Sequence, residues 1–179
     1  MWFALIKQYW NVSLLREKPE NTPHSLLLSC LVVFVFFVLI VLQWMITDLS
    51  RQLAVSAALL VAGSLVVSYL LYTWVLLRLF GLQSRFLQTL TCILAGHTAV
   101  HLVAFPLLFI MPLILKMPEL TTFSPVIGVL YLALTLILAV WQFMISAYIF
   151  KHALTASWLA ATLASLGLLA CNILTISFW

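Results

Sequence analysis

Charged residues are scarce in this sequence. Asp, Glu, Lys and Arg make up only 7% of its 179 residues, against about 25% in soluble domains, and 66% of the residues are hydrophobic. A water-soluble core of this composition is excluded. The segments between the apolar runs are also too short to form a separate soluble domain of about 50 residues. We therefore expect a single membrane domain.

Cysteine is sparse as well, and it lacks motif spacing. Cys30, Cys92 and Cys171 fall in different apolar runs without a CxxC pattern. This excludes a disulfide framework and a zinc site built on cysteine, so we interpret them as small residues packed in the membrane. The eight basic residues are too few and too dispersed for a nucleic-acid interface. No nucleic-acid partner is expected.

Five apolar runs, each near or above twenty residues, fill the chain from residue 25 onwards. A bilayer core about 30 Å thick needs about 20 helical residues, and lipid offers backbone groups no hydrogen-bond partner. We therefore predict an all-α polytopic membrane protein whose domain, 25–179, is a bundle of five transmembrane helices. The connectors are short, so neighbouring spans run antiparallel. The predicted spans are about 25–46, 53–77, 86–115, 124–150 and 155–179.

Residues 1–24 form a separate lead segment. Trp2, Ile6, Tyr9 and Trp10 recur there at helical spacing. Aromatic and basic side chains favour the headgroup level of a bilayer, so we predict an interfacial amphipathic helix that lies flat. Prolines later in the segment interrupt that helix and mark the bend into the first span.

Basic residues are distributed unequally between the two predicted sides of the membrane. The positive-inside rule places the richer side in the cytoplasm. The amino terminus is then cytoplasmic and Trp179 lies across the bilayer. The richer side carries Lys7, Arg16, Lys18, Arg78, Arg85 and Lys151, and the other side carries Arg51 and Lys116.

Small residues recur every four positions in two of the spans. Stripes of this kind let helices approach closely in lipid. We therefore predict that the second and fifth spans lie in the bundle interior, and that the first span, which has no stripe, faces lipid on more sides. The stripes are Ala54, Ala58 and Ala62 in the second span, and Ser157, Ala161 and Ser165 in the fifth.

The third span contains His97 and His101, which lie four residues apart and therefore on one helix face. Three hypotheses account for them. They hydrogen-bond to polar groups of neighbouring helices, such as Gln142 at a similar depth or Asn172. They line a proton or substrate pathway along a span kinked by Pro106 and a second proline. They bind a metal or haem, although no further ligand lies at comparable depth.

Catalytic motifs are not found in the sequence. There is no GxSxG elbow, no HExxH and no Ser, His and Asp set at one depth. We therefore predict that the protein is not an enzyme and binds no cofactor.

Three stretches of the sequence carry a family resemblance. They are LLREKPENTPHS before the first span, GLQSRFLQTLTCILAGHTAVHLVAFP from the second loop through the third span, and FKHALTAS after the Trp-containing fourth span. Together they resemble the bacterial branch of the Yip family, named for proteins that interact with Ypt and Rab GTPases. The resemblance implies five spans, a cytoplasmic amino terminus and an inner-membrane protein without enzymatic activity. The long cytoplasmic domain of many eukaryotic members is missing here, so no GTPase partner is implied.

These observations predict an inner-membrane scaffold or adaptor. Its partners are the lipid bilayer and other membrane proteins, and its small-residue faces also allow homo-oligomers. The contact residues that we expect in the lead segment are Trp10, Arg16, Lys18 and Pro19. The alternatives are a small-molecule or proton transporter that uses His97 and His101, and an intramembrane metal or haem protein.

Overall fold

The computed structural model describes residues 2–47, 55–116 and 123–179. Within these ranges the chain forms α-helices and two short 3-10 turns, without β-strands. Five helices are long and apolar enough to cross a bilayer, which confirms an all-α integral membrane protein. The helices are α1 Trp2–Ser13, α2 Leu26–Thr47, α3 Val55–Leu79, α4 Phe86–Lys116, α5 Phe123–Ala153 and α6 Trp158–Ser177.

Three helices end in the same way, with one residue in the left-handed region. Leu15, Gly81 and Thr155 have φ values of 60°, 71° and 49° and follow α1, α3 and α5 respectively. In each turn, two backbone N–H groups donate hydrogen bonds to carbonyls in the last turn of the helix, which is the pattern of a Schellman motif. These turns explain the boundaries. The α5 helix ends at Ala153, and α6 begins at Trp158 rather than at the predicted residue 155.

Helix α4 occupies the centre of the bundle and contacts α1, α2, α3 and α5. Its hydroxyls and backbone groups bind the neighbouring helices. Thr91 Oγ1 lies 2.6 Å from Ser29 Oγ of α2, and the backbone oxygen of His101 accepts a hydrogen bond of 3.1 Å from Gln43. Gly96 allows α5 to pack closely against α4, because a Cβ at this position would lie only 2.7 Å from Cγ2 of Ile145.

The small residues of α3 and α6 are mostly buried, and the two helices pack directly on each other. The Tyr72 hydroxyl of α3 donates a 2.6 Å hydrogen bond to the Ala164 carbonyl, and Gly167 makes space for the same ring. The buried members of the stripes are Ala58, Ala62, Ala161 and Ser165, whereas Ala54 lies outside the described residues.

Ser157 does not belong to the packing stripe, so that prediction is wrong. The residue is exposed and caps α6, where its side-chain oxygen accepts a hydrogen bond from the Ala160 N–H. The first turn of a helix leaves backbone N–H groups without partners, and a serine hydroxyl satisfies one of them.

Among the described residues, the buried side chains of α5 are confined to the half that ends at Ala153. The most apolar stretch of α5 contains no buried residue, whereas 28% of the corresponding stretch of α2 is buried, the same share as in α6 and less than the 33% of α3. The expectation that the first span is more exposed therefore holds against α3 but not against α6. Helix α2 has no small-residue stripe, but it packs along α4 through large side chains such as Phe36 and Ile40.

The lead segment is attached to the bundle along most of its length. Trp141 Nε1 of α5 donates a 2.9 Å hydrogen bond to the Ser13 carbonyl, and Gln88 donates to the carbonyls of Glu20 and Thr22 at 3.0 and 2.7 Å. The helix of the lead segment is confirmed. Its position at a membrane surface stays a prediction.

Candidate functional site

The polar side chains of three helices meet at His97. Its ring is buried between α3 and α5, with Nδ1 at 2.6 Å from the Tyr69 hydroxyl and 3.0 Å from Gln142 Nε2. Nε2 of the ring lies 2.8 Å from Ser146 Oγ. The structure therefore brings His97 and Gln142 together, and it adds two partners that the sequence analysis missed.

The hydrogen bonds of this cluster determine which ring nitrogen carries the proton. The amide nitrogen of Gln142 can only donate, so Nδ1 of His97 accepts. The proton of the neutral ring is then on Nε2 and is donated to Ser146 Oγ, which donates in turn to the Gln142 carbonyl at 3.2 Å. Both ring nitrogens are used within the protein.

His101 has different surroundings, although it lies on the same helix face. Its ring makes an edge contact with Phe36, with centroids 5.8 Å apart. Its nitrogens form no hydrogen bond with any residue in the described ranges. The ring lines a cavity of about 240 Å³ between α3, α4, α5 and α6, next to the His97 cluster.

Two further polar residues of α6 line this cavity. Ser165 is only 1% exposed, and its hydroxyl has no hydrogen-bond partner in the structure. Asn172 accepts a 3.2 Å hydrogen bond at Oδ1 from Ser68 of α3 and also lines the cavity. The sequence predicts Ser165 as a packing residue and Asn172 as an interhelical hydrogen-bonding residue; Asn172 does bond to α3, and both residues line the same cavity as His101.

A larger cavity, of about 420 Å³, lies under α1 against α2 and α4. Its walls are almost entirely apolar side chains, including Leu28, Val32 and Leu102. The hydroxyl of Tyr9 is buried there without a partner, and its burial raises the pKa of that hydroxyl, so Tyr9 stays neutral. A groove of this composition suits a lipid chain, but it offers little to select one polar ligand over another.

The metal hypothesis requires several ligands around one point. In the part of the chain that the structure describes, no three His, Cys, Asp or Glu side chains lie close enough together to hold a metal ion. Both nitrogens of His97 are also hydrogen-bonded to α3 and α5. The arrangement suits interhelical hydrogen bonding better than metal or haem ligation.

The predicted contact residues of the lead segment differ in exposure. Arg16 and Lys18 are exposed, and Trp10 is 42% exposed while its ring packs edge-on against Trp141 at 6.3 Å. Pro19 is buried at the start of a 3-10 turn, Pro19–Asn21, so it positions the segment and is not accessible to a partner.

At the end of the bundle that carries the lead segment, both carboxylates have partners within the chain, whereas only some of the cations do. Glu17 accepts a 2.8 Å hydrogen bond from Asn21, and Glu20 lies 3.8 Å from Nδ1 of His152. Several basic residues also have partners. Arg85 donates to the carbonyls of His152 and Ala153, Lys151 lies over Trp158, and Arg78 lies over Trp74. Among the described residues, no such partner faces Lys7, Arg16 or Lys18.

The chain was compared with protein-family models, with curated proteins and with solved structures, and none of the three comparisons found a match.

Proposed function

We propose that the protein is a non-enzymatic membrane scaffold whose lead segment binds an acidic segment of another membrane protein. One observation supports this proposal above the others. The exposed cations Arg16 and Lys18 have no partner among the described residues, whereas the carboxylates beside them are engaged within the chain. Six basic residues lie on this side of the bundle against the two carboxylates Glu17 and Glu20, so this side keeps a net positive charge, which attracts an acidic partner.

The attachment of the lead segment strengthens the proposal. Hydrogen bonds from Gln88 and Trp141 hold its backbone against α4 and α5. A surface that is already ordered loses less conformational entropy on binding than a mobile arm would. The resemblance to the Yip family, which rests in part on the same stretch of the lead segment, implies a membrane protein without established enzymatic activity, in keeping with this role.

The polar groups inside the spans favour a structural role for the His97 cluster. Tyr69, His97, Gln142 and Ser146 bind one another across three helices. Such bonds contribute about 0.6 kcal/mol each in measured membrane proteins. They hold the bundle together, and among the described residues no acidic side chain accompanies them as a proton relay would require.

Site-specific photocrosslinking in native membranes tests the scaffold. A photoreactive residue at position 24, an exposed site of the lead segment outside the proposed contact residues, should form a product with one discrete membrane protein. The change Arg16→Glu should reduce that product about fivefold, since an exposed ion pair contributes up to about 1 kcal/mol. The conservative change Arg16→Lys should preserve it. Position 178, an exposed site at the other end of α6, is the control and should not give this product.

Three results would count against the scaffold. The first is the absence of any crosslinked protein, and the second is a crosslinked product whose yield Arg16→Glu leaves unchanged. The third is a product with lipid alone, which would assign the basic surface to anionic headgroups. A product of twice the chain mass would identify a second copy of this protein as the partner.

A further inference from the structure

We propose that the cavity between α3, α4, α5 and α6 binds one small neutral carbonyl compound with an apolar body. This site is separate from the lead segment and goes beyond the scaffold role. It rests on a cavity of about 240 Å³ and on the Ser165 hydroxyl in its wall, which has no hydrogen-bond partner among the described residues.

The polar residues of the cavity wall fall into two sets. Tyr69, His97, Gln142 and Ser146 are hydrogen-bonded to one another. The second set is Ser165, Asn172 and His101, which have hydrogen-bonding capacity left over among the described residues.

Ser165 is the strongest indication of a ligand. Its hydroxyl is buried and has no partner, and a buried polar group in this state costs free energy that a bound partner would recover. Asn172 uses its oxygen to accept from Ser68 and keeps two amide donors. The neutral ring of His101 offers one donor and one acceptor. Ser165 and Asn172 lie about two helical turns apart in α6, so a ligand carbonyl oxygen accepts from one of them, and a carbonyl brings no donor that the apolar walls would leave unpaired.

The charge and size of the cavity restrict the ligand further. Among the described residues, no Asp, Glu, Lys or Arg lines it, so none of them would offer a charged ligand a counter-charge. Its volume equals roughly eight waters of about 30 Å³ each, below the usual range for drug-sized ligands. The other walls are apolar side chains, including Leu65, Phe143 and Ile173. A single ring with one carbonyl oxygen fits this description.

Fluorine NMR with para-fluoroacetophenone as the probe tests the site, using the full chain in lipid nanodiscs. We expect a saturable change of the fluorine signal that excess acetophenone reverses. The change Ser165→Ala removes one hydrogen bond and should weaken binding about tenfold. It should leave the thermal midpoint of unfolding unchanged or higher, because it also removes an unpartnered buried hydroxyl.

Thr73→Val is the matched control. Thr73 is also buried with an unpartnered hydroxyl, but it does not line this cavity. The control should keep the affinity of the unmodified protein. The proposal is overturned if the unmodified protein shows only the partitioning seen with empty nanodiscs. It is equally overturned if Ser165→Ala binds as tightly as the unmodified protein, or if Thr73→Val loses as much affinity.

Discussion

The two histidines of α4 lie on the same helix face but have different surroundings, and these surroundings determine the hydrogen bonds that each one makes. Counting along the helices places His97 and Gln142 at similar depths, about 16 and about 13 Å from the same side, and the structure brings them together. Counting residues along the helices did not predict that Tyr69 and Ser146 belong to the cluster. Depth along a helix follows from residue number, but the direction that a side chain faces around the axis depends on how the helices pack.

We expect the change His97→Phe to lower the free energy of unfolding by about 2 kcal/mol, because it leaves the polar groups of three neighbours without their ring partner. His101→Phe should cost less than about 1 kcal/mol, since its ring nitrogens have no hydrogen-bond partner among the described residues. Unfolding in mixed micelles by titration with a denaturing detergent measures both values. A larger loss for His101→Phe would contradict this account of the cluster.

Other residue roles were predicted wrongly for a common reason. Ser157 continues the spacing of the stripe in α6, yet it caps the helix, and Pro19 is buried rather than available at the surface. Both residues sit at the ends of elements. A periodic pattern says which positions share a face, but it does not say where the helix begins.

Among the elements, the turn after α3 depends on one glycine. Gly81 has a φ of 71°, and nothing lies within 4 Å of a Cβ built there. Gly81→Ala should therefore lower the free energy of unfolding by about 1 kcal/mol through backbone strain alone. The control Gly128→Ala, in an open position of α5, should be neutral or stabilising. Equal losses in the two variants, measured by thermal unfolding in detergent, would refute the role of the turn.

The contact between α3 and α6 is tested by a double-mutant cycle. A Cβ on Gly167 would collide with the Tyr72 hydroxyl, so Gly167→Ala should cost about 1 to 3 kcal/mol by overpacking. The same change should cost less in a Tyr72→Phe background, because the hydroxyl is gone. Strictly additive losses in the free energy of unfolding would show that the two residues are not in contact.

The existence of the helices could be predicted from the sequence, but their neighbours could not. Length and apolarity identified all five spans, since lipid allows a crossing segment few other conformations. The stripes of Ala and Ser predicted buried faces on α3 and α6, but not that these two helices pack on each other. Nothing in the pattern showed that the most apolar stretch of α5 has no buried residue, because in a membrane an apolar residue is equally suited to lipid and to protein.

At the scale of the whole molecule, the orientation in the membrane stays a prediction. We expect Thr155→Cys to react with an impermeant thiol reagent only from the cytoplasmic side, and Phe178→Cys only from the opposite side. Both positions are exposed, and the background would carry alanine at the three native cysteines. Labelling in intact cells and in inverted membrane vesicles measures this. Reaction of both positions from the same side would refute the predicted topology.

The hydrogen bond from Trp141 to Ser13 joins residues 128 positions apart. A ribosome that adds about 5 to 20 residues per second needs roughly 6 to 26 seconds to make the intervening chain. The first helix to be synthesised is therefore among the last to reach its final place. During that interval the inner face of α1 has no protein to cover it, and the surrounding lipid or a membrane-bound chaperone must shelter it until the fifth helix of the chain emerges.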